Sequence, residues 1–385
     1  MSYSILIADD MFVNRMLMKA LLQKKLKDSI YYEAKDGNEA LEIVKEREID
    51  LIILDLMMPE KDGYEVLIAL KSNPLYKDIP IIVNSALTDI ENIEKSLQNG
   101  ALDYFAKPLS PDEMKIVLPL KVKNALKHYE QKKLIKKLSE KIKDELNNAH
   151  LFQNIMMPKS KCLDKIDIYT RYLPSIEIGG DIFDCVILGD DIWFIIADVV
   201  GHGIAAAMVS SMVKVLFNDC IKYHNNSPKE VLENMNNIVI DMFDPSDYFN
   251  HTAFTAFVGC IRKDKLIYSN AGHPYPIVFE KKEERVQMLT QNGFIVGIFE
   301  NAKYENKYTK IEKGDAILVY TDGLFSKRKN GVFEDWTSMY NYVSEKFNLI
   351  ETDPKKFVDN LLCSSDEGNT KDFADDVALM LFKIK

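Results

Sequence analysis

Asp50-Leu51-Ile52-Ile53-Leu54-Asp55 is the most continuous apolar run in the chain, closed at its carboxyl end by an acid. An unbroken run of this kind reads as a central strand buried on both faces, as in a parallel sheet. Working outward, Ser4-Ile5-Leu6-Ile7-Ala8 reads as a second buried strand, followed by a helix over Val13 to Leu26. Ile30 to Ala34 is strand-like and Gly37 to Arg47 helical. Beyond the central run come a helix over Tyr64 to Lys71, a strand over Ile79 to Val83, a helix over Ile90 to Gln98 and a short strand over Leu102 to Phe105. Five β/α units at this spacing predict an α/β doubly wound five-stranded parallel sheet over residues 1–120. Such sheets bind ligands outside the carboxyl ends of their strands.

Ser110-Pro111-Asp112-Glu113 is a helix start: a hydroxyl cap, a first-turn proline and a glutamate three residues on. A kink is expected at Pro119. From Lys121 to Met157 no turn residue intervenes. Val122, Ala125 and Tyr129, then Ile135, Leu138, Ile142, Ala149, Phe152 and Met156, recur at three- and four-residue steps, with a phase slip around Gln131 to Leu134. Residues 121–157 therefore read as a helical linker with coiled-coil character, ended by Pro158. Its nine lysines against four acids between residues 121 and 145 read as a solvated face.

After Pro158 strands dominate, over Asp167 to Tyr172, Phe183 to Ile187, Ile192 to Ala197, Ala253 to Ile261, Lys265 to Ser269, Ile277 to Phe279, Ala316 to Tyr320 and Val377 to Ile384. Helices are expected over Ala205 to Asn218, Pro228 to Met242, Trp336 to Phe347 and Pro354 to Leu362. Grouped strands and helices predict an α+β (αββα) sandwich over residues 158–385.

At 385 residues the chain exceeds one compact core. A net charge of −10 argues against nucleic acid as the main partner. Cys162, Cys185, Cys220, Cys260 and Cys363 are scattered singly and read as free thiols in a reducing compartment. Met1 to Asp10 lacks the basic and apolar parts of a signal peptide. No stretch approaches roughly 18 uninterrupted apolar residues. A cytoplasmic protein without a membrane partner is expected.

Asp9 and Asp10 end the first predicted strand, Asp55 ends the third, and Ser85 and Lys107 follow the fourth and fifth. All five lie on one carboxyl edge of the sheet. Three carboxylates converging there call for a cation, and oxygen ligands select Mg²⁺. Asp55 is then a nucleophile, with Mg²⁺ and the Lys107 ammonium stabilising a transferring phosphoryl group. Ile7-Ala8-Asp9-Asp10, Leu54-Asp55-Leu56-Met57-Met58-Pro59-Glu60-Lys61-Asp62-Gly63, Ser85-Ala86 and Lys107-Pro108 resemble the signature set of response-regulator receiver domains. The resemblance implies a phospho-acceptor role for Asp55 and Mg²⁺ binding by Asp9, Asp10, Asp55 and the Met57 carbonyl. It further implies a Ser85 hydrogen bond to the phosphoryl group and a switch aromatic at Tyr104. Phe12 departs from the family, where proline is common.

In the second half, Asp181 lies in Gly179-Gly180-Asp181-Ile182-Phe183-Asp184, and Asp198 ends the strand Trp193 to Ala197 and leads into Val199-Val200-Gly201-His202-Gly203. Asp322 follows Leu318-Val319-Tyr320-Thr321, while Asp375 and Asp376 open the final strand. Aspartates without Cys or suitably spaced His suit Mn²⁺ or Mg²⁺, and two such ions bridged by water supply a nucleophile and clamp a phosphoryl group. With Asn270-Ala271-Gly272-His273-Pro274 these motifs, in order, resemble the SpoIIE-type branch of the metal-dependent serine/threonine phosphatase (PPM) family. The resemblance implies two Mn²⁺ or Mg²⁺ held by Asp181, Asp198, Asp322 and Asp375, with the Val199 carbonyl; Asp376 contributes or orients its neighbour. Val200 stands where many relatives have a small residue. His202 and His273 read as turn-fixing hydrogen-bond groups, with a general-acid role as the minor alternative.

Together these readings predict a two-component response regulator whose Asp55 phosphorylation controls a metal-dependent phosphoserine/phosphothreonine protein phosphatase. The resemblances imply a sensor histidine kinase or phosphotransfer protein upstream and a phosphorylated STAS-type anti-sigma-factor antagonist as substrate. A homodimer with a helical stalk that transmits the switch is expected. An adaptor with a binding-only phosphatase fold would lack metal carboxylates, and none is missing. A transcription regulator would need a helix-turn-helix output, which the strand-rich second half does not offer.

Overall fold

The computed structural model describes the chain except for residues 1, 87–89, 109, 111, 225–226, 244–251, 326–332, 334–335 and 363–372, so Pro111 and Cys363 lie outside the described residues. The chain divides into two compact units, 1–142 and 143–385.

The first unit runs β1 (Ser4–Ala8), α1 (Phe12–Lys25), β2 (Ile30–Ala34), α2 (Gly37–Glu46), β3 (Leu51–Leu54), α3 (Gly63–Ser72), β4 (Ile81–Ser85), α4 (Ile90–Gln98), β5 (Asp103–Ala106) and the first part of α5 (Leu118–Met156). The strands form one parallel sheet in the order β2-β1-β3-β4-β5. Every residue of β3 is buried because helices cover both faces of the sheet. One face packs with Val44, Val66, Leu67 and Leu70; the other with Met18, Leu22, Leu118, Val122 and Leu126. Local chemistry starts the helices: the Asp36 carboxylate accepts from Glu39 N at 2.9 Å, and Asp62 and Glu65 form a reciprocal capping box.

β4 and β5 begin later than the apolar pattern predicts, so Ser85 is the last residue of β4 instead of following it. The Ser110–Glu113 cap is present, with Ser110 N donating to Glu113 Oε2 at 2.8 Å and Glu113 N to Ser110 Oγ at 3.2 Å. The break expected at Pro119 takes the form of a π turn over Glu113–Val117, after which α5 opens at Leu118. Proline in the first turn lacks only an N–H that a helix start leaves unpaired anyway. Within this unit three of the linker lysines pair with acids: Lys121 with Asp103, Lys132 with Asp78 and Lys133 with Asp50.

The second unit contains β6 (Lys161–Cys162), β7 (Ile166–Leu173), β8 (Ile182–Leu188), β9 (Asp191–Val199), α6 (Ile204–Asp219), α7 (Pro228–Met242), β10 (Phe254–Arg262), β11 (Lys265–Ala271), β12 (Ile277–Glu280), β13 (Arg285–Met288), β14 (Lys307–Lys310), β15 (Ala316–Tyr320), α8 (Trp336–Glu345), α9 (Phe347–Thr352), α10 (Pro354–Leu362) and β16 (Val377–Ile384). Two antiparallel sheets, β14-β11-β10-β9-β8 and β13-β12-β15-β16-β7-β6, carry the core between them. Phe194, Ile196 and Phe257 of one sheet meet Val319, Met380 and Phe382 of the other. Helices α6 and α7 cover the first sheet and α8–α10 the second, so the layers are αββα.

Three short strands, β6, β13 and β14, escape the periodicity reading because two to four half-exposed residues carry no pattern. The helix expected over Trp336 to Phe347 is two helices, α8 and α9. Asp198 lies inside β9, paired with Thr255, and does not follow the strand. One segment, Ile204–Tyr223, is 20 residues long and by length and composition apolar enough to cross a membrane. Ser210, Ser211 and Lys214 interrupt it, and its Ala206, Val213 and Phe217 face is buried in the core.

Candidate functional site

The parallel sheet brings the ends of β1, β3, β4 and β5 to one edge. Carboxylate oxygens of Asp9, Asp10 and Asp55 all lie within 4.8 Å of one another. Asp9 and Asp55 are buried, whereas Asp10 is open to solvent. Asp9 is oriented by Met11 N at 2.9 Å and Asn14 Nδ2 at 3.1 Å, and Asp55 by Met57 N at 3.1 Å. Lys107 Nζ reaches Asp9 at 2.7 Å and Asp55 at 2.5 Å. Burial pulls the Lys107 ammonium down, but Asp55 and Asp9 outweigh it and hold Lys107 above its ordinary value. For Asp55 the balance is reversed: burial raises its carboxyl more than Lys107 and the Met57 amide lower it. Both groups are therefore raised, Asp55 chiefly by burial with a smaller push from the Asp9 charge. Ser85 is buried at the end of β4 and Tyr104 half-buried on β5, beside Val83. An oxygen-only donor set with one exposed member fits a hard divalent cation.

At the second site, turns between strands of both sheets meet. Asp181 precedes β8, Asp198 is in β9, Asp322 follows β15 and Asp375 precedes β16. Asp181 is buried and accepts from Thr321 Oγ1 at 2.6 Å. Burial raises the Asp181 carboxyl, and the charges of Asp198, Asp376 and Asp322 add to it. Asp198 is pushed up to about 7, first by burial and then by Asp322, Asp375 and Asp376, although a hydrogen bond from Asp181 works the other way. Asp322 opens onto solvent yet is also raised, by the protein packed around it and by Asp375. Among the described residues no lysine or arginine pairs with these acids. Carboxylates that repel one another without a protein cation fit multivalent metal, which would supply the missing countercharge.

These two constellations match known families. Residues 189–385 match the model of Stage II sporulation protein E (SpoIIE), and residues 5–118 that of the response regulator receiver domain. The chain belongs to the SpoIIE family. Its second half is a metal-dependent serine/threonine phosphatase domain, and a receiver domain precedes it. Among curated proteins it resembles phosphoserine phosphatase RsbU of Bacillus subtilis, 27% identical over 64% of this chain and 68% of that protein. Through the receiver it resembles the probable C4-dicarboxylate response regulator DctR of the same organism, 39% identical over 26% of this chain but only 41% of that one. The fold of the SiaA-PP2C domain of Pseudomonas aeruginosa is shared at TM-score 0.52 and 17% identity, over 64% of this chain and 99% of that domain.

Within the SpoIIE-family site, Asp376 is committed to protein. Its carboxylate accepts from Ser175 N at 2.7 Å, Ser175 Oγ at 3.0 Å and Gly180 N at 2.7 Å. It thereby pins the Gly179-Gly180-Asp181 turn. A Cβ on Gly179 would lie 2.2 Å from the Asp376 carboxylate, so that position needs glycine for close approach, and one on Gly180 would sit tightly, 3.0 Å from the Val199 carbonyl. Asp375 is exposed and accepts from Asp376 N at 2.8 Å.

His273 is buried, with Nε2 3.1 Å from the Tyr320 carbonyl and Nδ1 2.9 Å from Thr255 Oγ1. The carbonyl can only accept, so Nε2 carries the proton and Nδ1 accepts from Thr255. Burial drives its pKa down to about 3. A neutral imidazole with both nitrogens engaged is a brace for its turn, not a proton donor. His202 is exposed.

The sequence motifs did not point to Gln153 on α5. Its buried side chain donates from Nε2 to the Gly179 carbonyl at 2.8 Å and accepts at Oε1 from Tyr172 Oη at 3.1 Å and Gly179 N at 3.3 Å. A glutamine on a lysine-rich helix carries no signal, because its partners are 19 and 26 residues away. Thr321 was visible within Tyr320-Thr321-Asp322-Gly323, but its bond to Asp181 was not. A cleft of about 730 Å³ opens beside Asp198 and Asp322, walled by Tyr275, Met288, Phe325 and Trp336.

Proposed function

We propose that this chain is a response regulator in which phosphorylation of Asp55 governs hydrolysis of phosphoserine or phosphothreonine on a protein substrate. The observation that carries this reading is the co-occurrence of one acid site served by Lys107 in the receiver and a second acid site that, among the described residues, has no such lysine. The relative RsbU is named a phosphoserine phosphatase, and the substrate class read here is a phosphorylated STAS-type anti-sigma-factor antagonist. A sensor histidine kinase or phosphotransfer protein is the phosphodonor. The setting is cytoplasmic, in keeping with the free Cys162, Cys185, Cys220 and Cys260.

In the receiver, the Asp55 carboxylate attacks the phosphorus of the donor's phosphohistidine, forming an acyl phosphate as the P–N bond breaks and the donor imidazole leaves. The Lys107 ammonium balances charge on the phosphoryl oxygens, Ser85 donates a hydrogen bond to them and Tyr104 turns inward. Asp9, Asp10, Asp55 and the Met57 carbonyl would hold Mg²⁺. In the phosphatase domain, Asp181, Asp198, Asp322, Asp375 and the Val199 carbonyl would hold two Mn²⁺ or Mg²⁺, with Asp376 orienting the turn. Bound cations there activate water and neutralise phosphoryl charge. The chain's own part is to hold the acids apart on four strand ends and to keep Asp181 aimed through Thr321.

Two features support coupling. Helix α5 runs from residue 118 to 156 without interruption, and its Gln153 holds the metal turn. Ile135, Leu138, Ile142 and Phe152 on α5 are 51–66% exposed, at heptad spacing suited to a homodimeric coiled coil. The test is Mn²⁺-dependent hydrolysis of a phosphoserine protein with and without a phosphoryl analogue on Asp55. A change in rate is expected; equal rates would remove the regulatory claim.

A further inference from the structure

The cleft that shares Asp198 and Asp322 with the acid site is larger than a phosphoryl group requires. At about 730 Å³ it falls in the range of sites that enclose a whole small ligand. Among the described residues its lining contains no lysine or arginine. His273 in its wall is neutral, so among the described lining residues no positive group faces the space. What the wall does offer is carbon: Tyr275, Met288, Phe325 and Trp336 face the space together. Trp336 is 49% exposed.

This wall is held in place. Tyr275 donates its hydroxyl to Asn292 Oδ1, and its backbone carbonyl accepts from Tyr320 Oη at 2.9 Å. Tyr320 in turn packs edge-on against Phe325 with ring centroids 6.2 Å apart. Met288 closes the edge strand β13, and its unbranched thioether adapts to the shape it meets.

Resting on the phosphatase reading above, we propose that Tyr275, Met288, Phe325 and Trp336 form a specificity subsite for one large apolar side chain next to the phosphoserine of the protein substrate. Water leaves the aromatic wall when an apolar side chain enters, whereas an acidic side chain would lose its hydration against carbon without gaining a partner there. The occupant is thus a phosphoserine segment with an apolar flank, continuous with the site of hydrolysis.

The experiment uses the full-length protein with Mn²⁺ and two phosphoserine peptides that differ only in the residue beside the phosphoserine, Phe or Glu. The wild type is expected to favour the Phe peptide by about tenfold or more in kcat/KM. Trp336→Ala and Met288→Gln should each bring the ratio close to one through KM, and Trp336→Phe should keep it. Because the ratio is internal to each protein, partial loss of folded material does not alter it. Equal use of both peptides by the wild type, or an unchanged ratio in both variants, overturns the subsite alone. Absence of Mn²⁺-dependent hydrolysis of either peptide overturns the phosphatase reading and the subsite with it.

Discussion

In the receiver, Asp9 and Asp55 share the Lys107 ammonium at 2.7 and 2.5 Å. In the phosphatase domain Asp181 shares a hydrogen bond with Thr321 at 2.6 Å, and among the described residues no basic side chain answers the four acids around it. Both sites gather aspartates at strand ends, yet the first carries part of its countercharge on Lys107, while among the described residues the second carries none. In the receiver the Lys107 ammonium offsets part of the burial that raises the Asp55 carboxyl. In the phosphatase domain burial and the neighbouring acids push Asp181, Asp198 and Asp322 upward, and bound cations would favour their ionised forms. The first site suits a switch that waits, the second a site that is assembled by its metal.

The largest expected effect breaks the second site alone. Asp198→Ala should lower Mn²⁺-dependent phosphoprotein hydrolysis on the order of 10³-fold, while phosphoryl uptake at Asp55 from a small phosphodonor proceeds as before. If both activities fell together, the two sites would not be chemically independent.

Lys107→Ala tests the first site from the other side. It removes the countercharge of Asp9 and Asp55, and phosphorylation of Asp55 should slow by roughly 10²-fold. Added Mg²⁺ should recover only part of that loss, since the cation and the ammonium act on different oxygens. Full recovery would mean that the lysine is dispensable and that the contrast with the phosphatase site is false.

Gln153→Leu sharpens the comparison by loosening the Gly179-Gly180-Asp181 turn without touching a carboxylate. The Mn²⁺ concentration for half-maximal activity should rise about 10- to 100-fold, the usual result of losing an outer-shell partner. Turnover at saturating Mn²⁺ is the control, because a merely structural lesion would lower it at every metal concentration.

The smallest effect concerns pH. Folded His273 resists protonation down to about 3, whereas an unfolded imidazole takes a proton near 6.5. More protons bound in the unfolded state means that this group's contribution is complete above about pH 6.5 and is lost as pH falls toward 3. Between pH 6.5 and 5 the loss is about 2 kcal/mol. Replacing His273 with Asn should flatten that slope in urea unfolding followed by tryptophan fluorescence. Both tryptophans, Trp193 and Trp336, lie in the phosphatase domain. The raised Asp181 and Asp198 act in the opposite sense, but they are common to both proteins and cancel in the difference.

Much of the architecture was legible along the chain. The runs Ser4–Ala8 and Asp50–Leu54 read as buried strands, the second starting one residue later at Leu51, and Ala316–Tyr320 and Val377–Ile384 were placed to the residue. Long apolar segments announce themselves because burial demands uninterrupted carbon. The short edge strands β6, β13 and β14 were not legible, since their pairing is decided by neighbours and not by their own residues.

The same division runs through the sites. Sequence by itself singled out the candidate acids, because Asp9-Asp10, Asp55, Asp181, Asp198, Asp322 and Asp375-Asp376 sit beside strand ends that any sheet brings to an edge. Only the tertiary structure decided what each acid faces. It gave Asp55 a lysine 52 residues away, turned Asp376 toward Ser175 and Gly180, engaged both nitrogens of His273 and set Gln153 beneath the Gly179 turn. The physical reason is that residue type fixes what a group can donate, accept or carry. Burial and the charges brought near by folding decide which of those options is used.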